Sequence, residues 1–449
     1  MKALIITHVY TPSIDPRAFR WTAISEHWVS QGHSVDVLSG WRTGLAREET
    51  RNGVRVCRVG GAITENIRSF LEKAGDRPGR ENGSPSEPLP SMRGIPPASN
   101  LASSIKALLT KGLEKIWWPD YAWFWYRPAV RKARVLLSAR EYDCLISVSN
   151  PFTGHLVGYS AHRRFPSLPW IVDLGDPFSF IEEVPRNNRK LYGDLDVRWE
   201  KKVFRAAGAV SVTTKGTKER YERAIPECAG KIFVIPPLLS GPGQEPPGGR
   251  IFPEDGKLRL VFVGTLYRAI RNPDFLLDLY GKLLETPLAD RLELHVFGNI
   301  NDCSECFAPF GGLLGEKIFL HGVVSRDVVF RAMREGTVLV NIGNNTSYQL
   351  PSKVVEYASF GKPIVNLVKI ENDSSVEFFS RYPAFLSLLD TGAAPGEDTA
   401  TKLGRFIENP PLVEPSAIKD WIEHFRVGKI AADYEELLAV ASSRRPARG

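Results

Sequence analysis

The feature that most constrains this chain is a series of short runs of Val, Ile, Leu and Phe that are apolar at nearly every position and alternate with stretches of helical periodicity. Leu258–Val263 is typical, with Arg259 its one polar side chain. A strand wetted on one face alternates apolar and polar residues, whereas one covered on both faces by crossover helices does not. The front half carries such runs at Ala3–Thr7, Ser34–Leu38, Val54–Val59, Asp143–Val148, Pro169–Asp173, Ala209–Thr213 and Ile232–Ile235. The back half carries them at Leu258–Val263, Leu292–Phe297, Ile318–His321, Val338–Ile342 and Pro363–Leu367. Both halves therefore read as α/β, each a doubly wound, Rossmann-like layer around a parallel sheet.

Leu239–Gly249 is too rich in Gly and Pro to hold a helix or a strand and is the expected domain linker. The expected organisation is a first domain over residues 1–238, a linker over 239–257, a second domain over 258–417, and a helix over 418–440 that crosses back to the first domain. Residues 75–99, dense in Pro, Gly and Asn with few large apolar side chains, cannot offset their ordering entropy and are expected to form a mobile excursion. Leu101–Trp118 follows, a basic amphipathic pattern flanked by aromatics. It reads either as a helix packed on its domain or as one lying in a membrane interface.

Composition removes several classes. Among 449 residues, 43% apolar side chains exclude disorder as the whole answer, and five scattered Cys exclude a disulfide-stapled scaffold. No run approaches the roughly 18 apolar residues of a membrane span. The amino terminus turns polar at Thr7-His8, which gives the expectation of a cytoplasmic chain with reduced thiols. Residues 1–240 hold 35 Lys and Arg against 24 Asp and Glu, while residues 241–449 hold 23 against 27. The basic excess thus sits in the front half, where an anionic membrane surface or a phosphate-bearing substrate could use it. No nucleic-acid motif accompanies that charge, so no nucleic acid is expected as a partner. Cys303-Ser304-Glu305-Cys306 lacks the further ligands of a zinc site, and no metal is expected. Neither G-x-G-x-x-G after the first strand nor a P-loop occurs.

The most informative segment is Leu350-Pro351-Ser352-Lys353-Val354-Val355-Glu356-Tyr357-Ala358-Ser359-Phe360-Gly361-Lys362-Pro363-Ile364-Val365. Pro351 suits a first helical turn and Gly361 the residue after the last. A helix start offers unpaired N–H groups to a phosphate, with the Ser352 hydroxyl and Lys353 ammonium beside them. Glu356, one turn or about 5 Å further along, could accept both hydroxyls of a ribose. Read by itself, the segment fits equally well a helix capped by Ser352 whose Glu356 pairs with a lysine.

The segment resembles the donor-binding motif of GT-B glycosyltransferases similar to glycosyltransferase family 4, in the subgroup that reads P-S-K-x-x-E-Y followed by G-K-P-I. The resemblance implies two Rossmann-like domains facing a central cleft and a nucleotide-diphosphate sugar as donor, with no separate cofactor. It also implies a metal-independent, retaining transfer. Pro351, Ser352, Lys353 and Glu356 would bind the donor, with Glu356 on the ribose. Tyr348, also a candidate donor-binding residue, stands where family members commonly carry another Glu, eight positions before the ribose Glu. Val261–Leu266 resembles the family's first back-half strand and loop, which implies donor contacts from Gly264, Thr265, Arg268 and Arg271. His321–Ser325 resembles the loop that edges the base, through Val323.

In the front half, Tyr10–Trp21 follows the subgroup that reads P-P-x-x-x-x-R-A, which makes Arg17 a candidate for the donor phosphates or an acidic acceptor. Asp173-Leu174-Gly175-Asp176-Pro177-Phe178 resembles the family's D-x-R-D-P-W, with Gly175 in place of its Arg, and follows a strand as Ser149-Asn150-Pro151-Phe152 does. Asp176 and Arg17 are the candidate catalytic and acceptor-side residues. The expected function is sugar transfer to an acceptor hydroxyl, with a saccharide acceptor that could be lipid-linked, at the inner membrane surface, in bacterial surface polysaccharide or glycolipid assembly. The alternatives are a GT-B sugar-nucleotide epimerase and a degenerate protein that binds nucleotide or scaffolds partners without turnover.

Overall fold

The computed structural model describes residues 1–13, 15–61, 117–181, 187–239, 249–351 and 353–444. The excursion over 75–99, the helical pattern over 101–116, residues 240–248 of the linker and Ser352 lie outside the described residues. The described residues up to Leu238 form one compact unit together with those from Phe425 onward, and Leu239–His424 belongs to a second.

The first unit is built on β1 (Lys2–Ile6), β2 (Ser34–Gly40), β3 (Glu48–Arg51), β4 (Val54–Val59), β5 (Cys144–Val148), β6 (Trp170–Asp173), β7 (Ala209–Val212) and β8 (Ile232–Val234). Their order across the sheet is β3-β4-β2-β1-β5-β6-β7-β8, parallel throughout except for the β3–β4 hairpin. Strand order reverses between β1 and β5. β5 is buried along its whole length, as its unbroken apolar pattern requires.

Helices α1 (Pro16–Ser30), α2 (Tyr126–Ala139), α3 (Thr153–Arg164), α4 (Arg189–Ala206) and α5 (Lys215–Ala224) make the crossovers among these strands. The α1 start is set by Asp15, whose carboxylate accepts from Arg17 N at 2.8 Å, and by Pro16 at the first helical position. Ala18, Trp21, Ile24 and Trp28 recur at helical spacing along its buried face.

The second unit holds β9 (Leu258–Val263), β10 (Leu292–Phe297), β11 (Ile318–Gly322), β12 (Val338–Ile342), β13 (Ile364–Val368) and β14 (Phe385–Leu389) in the order β11-β10-β9-β12-β13-β14, all parallel. Counted within the unit this is 3-2-1-4-5-6, the doubly wound order, with its switch point between β9 and β12. α6 (Asp274–Leu284), α7 (Arg326–Glu335), α8 (Lys353–Ser359), α9 (Ser374–Phe379), α10 (Glu397–Glu408) and α11 (Pro415–Glu423) complete it.

Three elements differ from the sequence reading. β3 and β14 are strands that the apolar-run criterion passes over, β3 because Glu48–Arg51 is a polar edge strand held by pairing to β4. The expected single helix over 418–440 is two. α11 stays in the second unit, where Ile418 approaches Gly361, and the chain turns extended at Arg426 before α12 (Val427–Ser443). α12 packs its Ile430, Ala431, Tyr434, Leu437 and Ala441 into the same core as Ala3, Ile5 and Trp21.

Candidate functional site

Doubly wound sheets bind ligands beyond the carboxyl ends of their strands at the switch point. In the second unit, Gly264–Arg271 leaves β9 there and Gly343–Pro351 leaves β12. Gly298 follows β10 with φ +124, and a Cβ at that position would stand 1.9 Å from Gly264 O. The loops after β9 and β10 therefore meet backbone to backbone. Gly343 makes room in the same way for Asp373, whose Oδ2 would be 2.8 Å from a Cβ.

Glu356 lies on α8 and is 6% exposed. Its Oε2 is 2.6 Å from Lys353 Nζ, one turn back, and its Oε1 is 3.5 Å from Arg326 Nη2 at the start of α7. Two cations, Lys353 and Arg326, thus meet on one buried carboxylate. The next residue fastens α8 to the sheet: Tyr357 OH accepts from Val263 N at 2.7 Å and donates to Val263 O at 3.1 Å.

Arg271 is held by the loop after β12, its Nε donating to Asn344 Oδ1 at 2.7 Å and its Nη1 to Thr265 O at 3.3 Å. Arg268 turns toward Glu305 at 3.2 Å, a largely exposed pair that holds it weakly. Tyr348 is buried, Pro351 is buried, and Val323 stands 57% exposed just after Gly322, whose φ is +65. Ser352 lies outside the described residues.

Beside Val323 runs a polar chain. His295 Nε2 is 3.2 Å from Glu293 Oε2, and His295 Nδ1 is 2.9 Å from His321 Nε2. Burial pushes both imidazoles down, His295 to about 3 and His321 to about 4, so both are neutral at neutral pH. The His295 proton on Nε2 serves the carboxylate, so Nδ1 accepts from His321 and leaves His321 Nδ1 as an acceptor.

In the first unit the carboxyl edge is organised by Asp173, a fully buried carboxylate at the end of β6. It accepts from Trp21 Nε1 at 2.8 Å, Ser211 Oγ at 2.7 Å, Tyr434 OH at 2.6 Å and Arg17 Nη1 at 3.4 Å. Burial alone would push it up, but the Arg17 and Arg20 guanidinium groups hold it below the usual carboxylate range. The Arg17 guanidinium lies directly over Gly175, where a Cβ would be 2.0 Å from Nη2. Asp176 accepts from Asn150 Nδ2 at 3.2 Å. The backbone of Asn150 carries cis peptide bonds on both sides.

Behind Asp176, Glu200 on α4 is fully buried and collects Phe178 N at 3.2 Å, Tyr221 OH at 2.5 Å and the Ser179 hydroxyl. Burial pushes its carboxyl up to about 7, against the pull of the Ser179 and Tyr221 hydroxyls.

The structure thus gathers Gly264, Thr265, Arg271, Lys353 and Glu356 around the switch point of one sheet, and Arg17 and Asp176 along the carboxyl edge of the other. Sequence reasoning missed Arg326, Asn344 and Gly298 in the second unit and Glu200 and Tyr434 in the first, and gave Asp173 no role beyond its place in the motif. A glycine directly after the Leu292–Phe297 run was a readable signal. Arg326 reaches Glu356 from another strand's crossover, which no local motif announces.

No protein-family model and no curated protein sequence matches the chain. Solved structures do. A glycosyltransferase from Rickettsia africae is 12% identical with a TM-score of 0.57, covering 99% of each chain. Anabaena HepE in complex with UDP-glucose is 14% identical with a TM-score of 0.54, covering 98% of this chain and 99% of that one. A protein assigned as a UDP-N-acetylglucosamine 2-epimerase from Listeria monocytogenes is 12% identical with a TM-score of 0.52, covering 97% of this chain and 94% of that one. At these identities the likeness establishes the fold, which is GT-B.

Proposed function

We propose that this protein is a glycosyltransferase that moves a sugar from a nucleotide-diphosphate donor to an acceptor hydroxyl. The observation that carries the reading is the buried Glu356 carboxylate held between Lys353 and Arg326 at the switch point of a 3-2-1-4-5-6 sheet. A carboxylate there suits the paired hydroxyls of a ribose, and Lys353, Arg326 and Arg271 suit the diphosphate beside it. The solved neighbours of this fold support the choice of ligand, since HepE holds UDP-glucose.

As the sugar–phosphate bond breaks, negative charge grows on the diphosphate, and preorganised cations stabilise that departure without requiring a metal. Asp176 and Arg17 orient the acceptor hydroxyl in the first unit. The match to the donor motif favours the family 4 subgroup and its retaining course, and the basic excess of the front half favours a saccharide acceptor on a lipid phosphate, in surface polysaccharide or glycolipid assembly. The Listeria structure favours a second reading, epimerisation of the same donor without any acceptor.

Thermal unfolding of wild type and Glu356→Ala against UDP, GDP, ADP, dTDP and CMP tests the donor site. A nucleotide at a hundredfold over its Kd adds about 2.7 kcal/mol to stability. A stabilisation by one diphosphate that Glu356→Ala abolishes is expected; equal shifts in both proteins would refute the assignment. Product analysis with donor alone separates transfer from epimerisation, because only the epimerase yields a new sugar nucleotide without acceptor.

A further inference from the structure

α2 presents a face that the chemistry above does not use. Arg127, Arg131 and Arg134 recur at i, i+4 and i+7, so they project from one side of the helix. All three are exposed, and among the described residues none has a hydrogen bond or an ion pair. The neighbouring cations differ in this respect: Lys132 is paired with Glu48 and Arg140 with Asp36. The opposite side of α2, through Ala129, Ala133, Leu136 and Leu137, is buried in the unit's core, so the arginine face is turned outward by packing.

Two further facts narrow what this face meets. Residues 121–140 contain no Asp or Glu, so no carboxylate of the same segment offsets the three charges. Trp123, in the turn that leads into α2, is 49% exposed, and Val135 on the helix itself is 60% exposed. A row of arginines alone fits any polyanion. An indole and an isopropyl group held in water beside that row lose nothing by leaving a nucleic-acid backbone untouched, but gain by entering the acyl boundary under a layer of lipid phosphates.

We propose that the Trp123–Arg134 face docks this protein on an anionic lipid bilayer, with the three guanidinium groups on lipid phosphates and Trp123 at the headgroup level. The proposal extends the lipid-borne acceptor reading by naming the surface that meets the membrane, and the two fail separately because docking is read without turnover.

The test is sedimentation of the full chain with phosphatidylcholine vesicles, with and without about a third phosphatidylglycerol, at low salt. Binding is expected only to the anionic vesicles and falls as salt rises. Each arginine near the surface contributes a factor of about five, so Arg127→Gln/Arg131→Gln/Arg134→Gln lowers partitioning about a hundredfold. Trp123→Ser lowers it further at unchanged net charge. All four side chains are exposed, so the variants keep the wild-type Tm. Lys402→Gln/Arg405→Gln, on the exposed face of α10, is the control and leaves binding unchanged. The proposal is overturned if the control weakens binding as much as the arginine variant. It is equally overturned if Trp123→Ser has no effect, or if the chain binds duplex DNA but not anionic vesicles. Transfer to a soluble acceptor by a chain that also docks through this face would sink only the lipid-borne acceptor.

Discussion

Glu200→Gln should change how the first unit's stability depends on pH, and by an amount the burial of this one carboxyl sets. The group is fully buried, and burial raises its pKa from the ordinary 4.5 to about 7. Between those values the folded chain holds a proton that the unfolded chain has released. Stability therefore falls as pH rises across that window, by about 1.4 kcal/mol per unit. The contribution is complete below pH 4.5 and gone above pH 7, which amounts to about 3 kcal/mol between pH 5 and 8. Glutamine keeps one oxygen for Phe178 N and the Tyr221 hydroxyl, donates from its NH2 to Ser179 Oγ, and does not titrate, so its own cost is independent of pH.

Urea unfolding of both proteins at pH 5 and pH 8, followed by tryptophan fluorescence, measures the difference. Nine of the ten tryptophans precede residue 200, so the signal reports the first unit. Asp196, pushed up to about 6 by burial, titrates in the same window but is common to both proteins and cancels. Wild type should lose about 3 kcal/mol more than Glu200→Gln from pH 5 to pH 8. Parallel curves would refute the reasoning. Glu200 anchors Phe178 and Ser179, which follow Asp176-Pro177, and the Phe178 ring stacks on Phe152 at 4.0 Å, so this carboxyl lies under the segment that carries Asp176.

Other substitutions separate local from global roles. Gly175→Ala drives a methyl into the Arg17 guanidinium and pushes it off the buried Asp173 carboxylate; a stability loss of about 1–3 kcal/mol is expected while kcat/KM falls at least tenfold, and unchanged turnover would remove Arg17 from acceptor orientation. Gly298→Ala meets the Gly264 carbonyl at a positive φ, where neither side can yield; a loss of about 3 kcal/mol or more is expected in the second unit by far-UV circular dichroism. Tyr434→Phe strips a buried donor from Asp173 and should cost about 1–3 kcal/mol, with a smaller loss meaning that Ser211 and Trp21 suffice.

What could be read in advance follows from which interactions are local. Leu258–Val263 announced itself as a buried strand because both faces are covered and five of its six side chains are apolar. Glu48–Arg51 did not, since a polar edge strand exists only through its partner, and its four residues carry no pattern of their own. The break between α11 and α12 was equally silent, because apolar spacing continues through residues that sit in two different cores. The donor motif was legible as a string, yet the cation completing it, Arg326, arrives from the start of α7 after β11 and belongs to no string.

Gly175 shows how the two kinds of information combine. In sequence it reads as a lost arginine within a D-x-R-D-P-W pattern. In the fold, the space above it is filled by the Arg17 guanidinium, at a distance that any side chain at 175 would close. Glycine is what admits the cation from α1, and Asp173 below it is the counter-charge that keeps it there. A guanidinium still stands at this strand end, supplied from a different element. The functional weight of the position therefore rests on the pair Arg17 and Gly175 together: restoring an arginine at 175 in this background should displace the one already present rather than add a second, and a Gly175→Arg/Arg17→Ala double variant should retain more activity than either single change. If the double variant is instead the least active of the three, the two positions act independently and the substitution is a true loss.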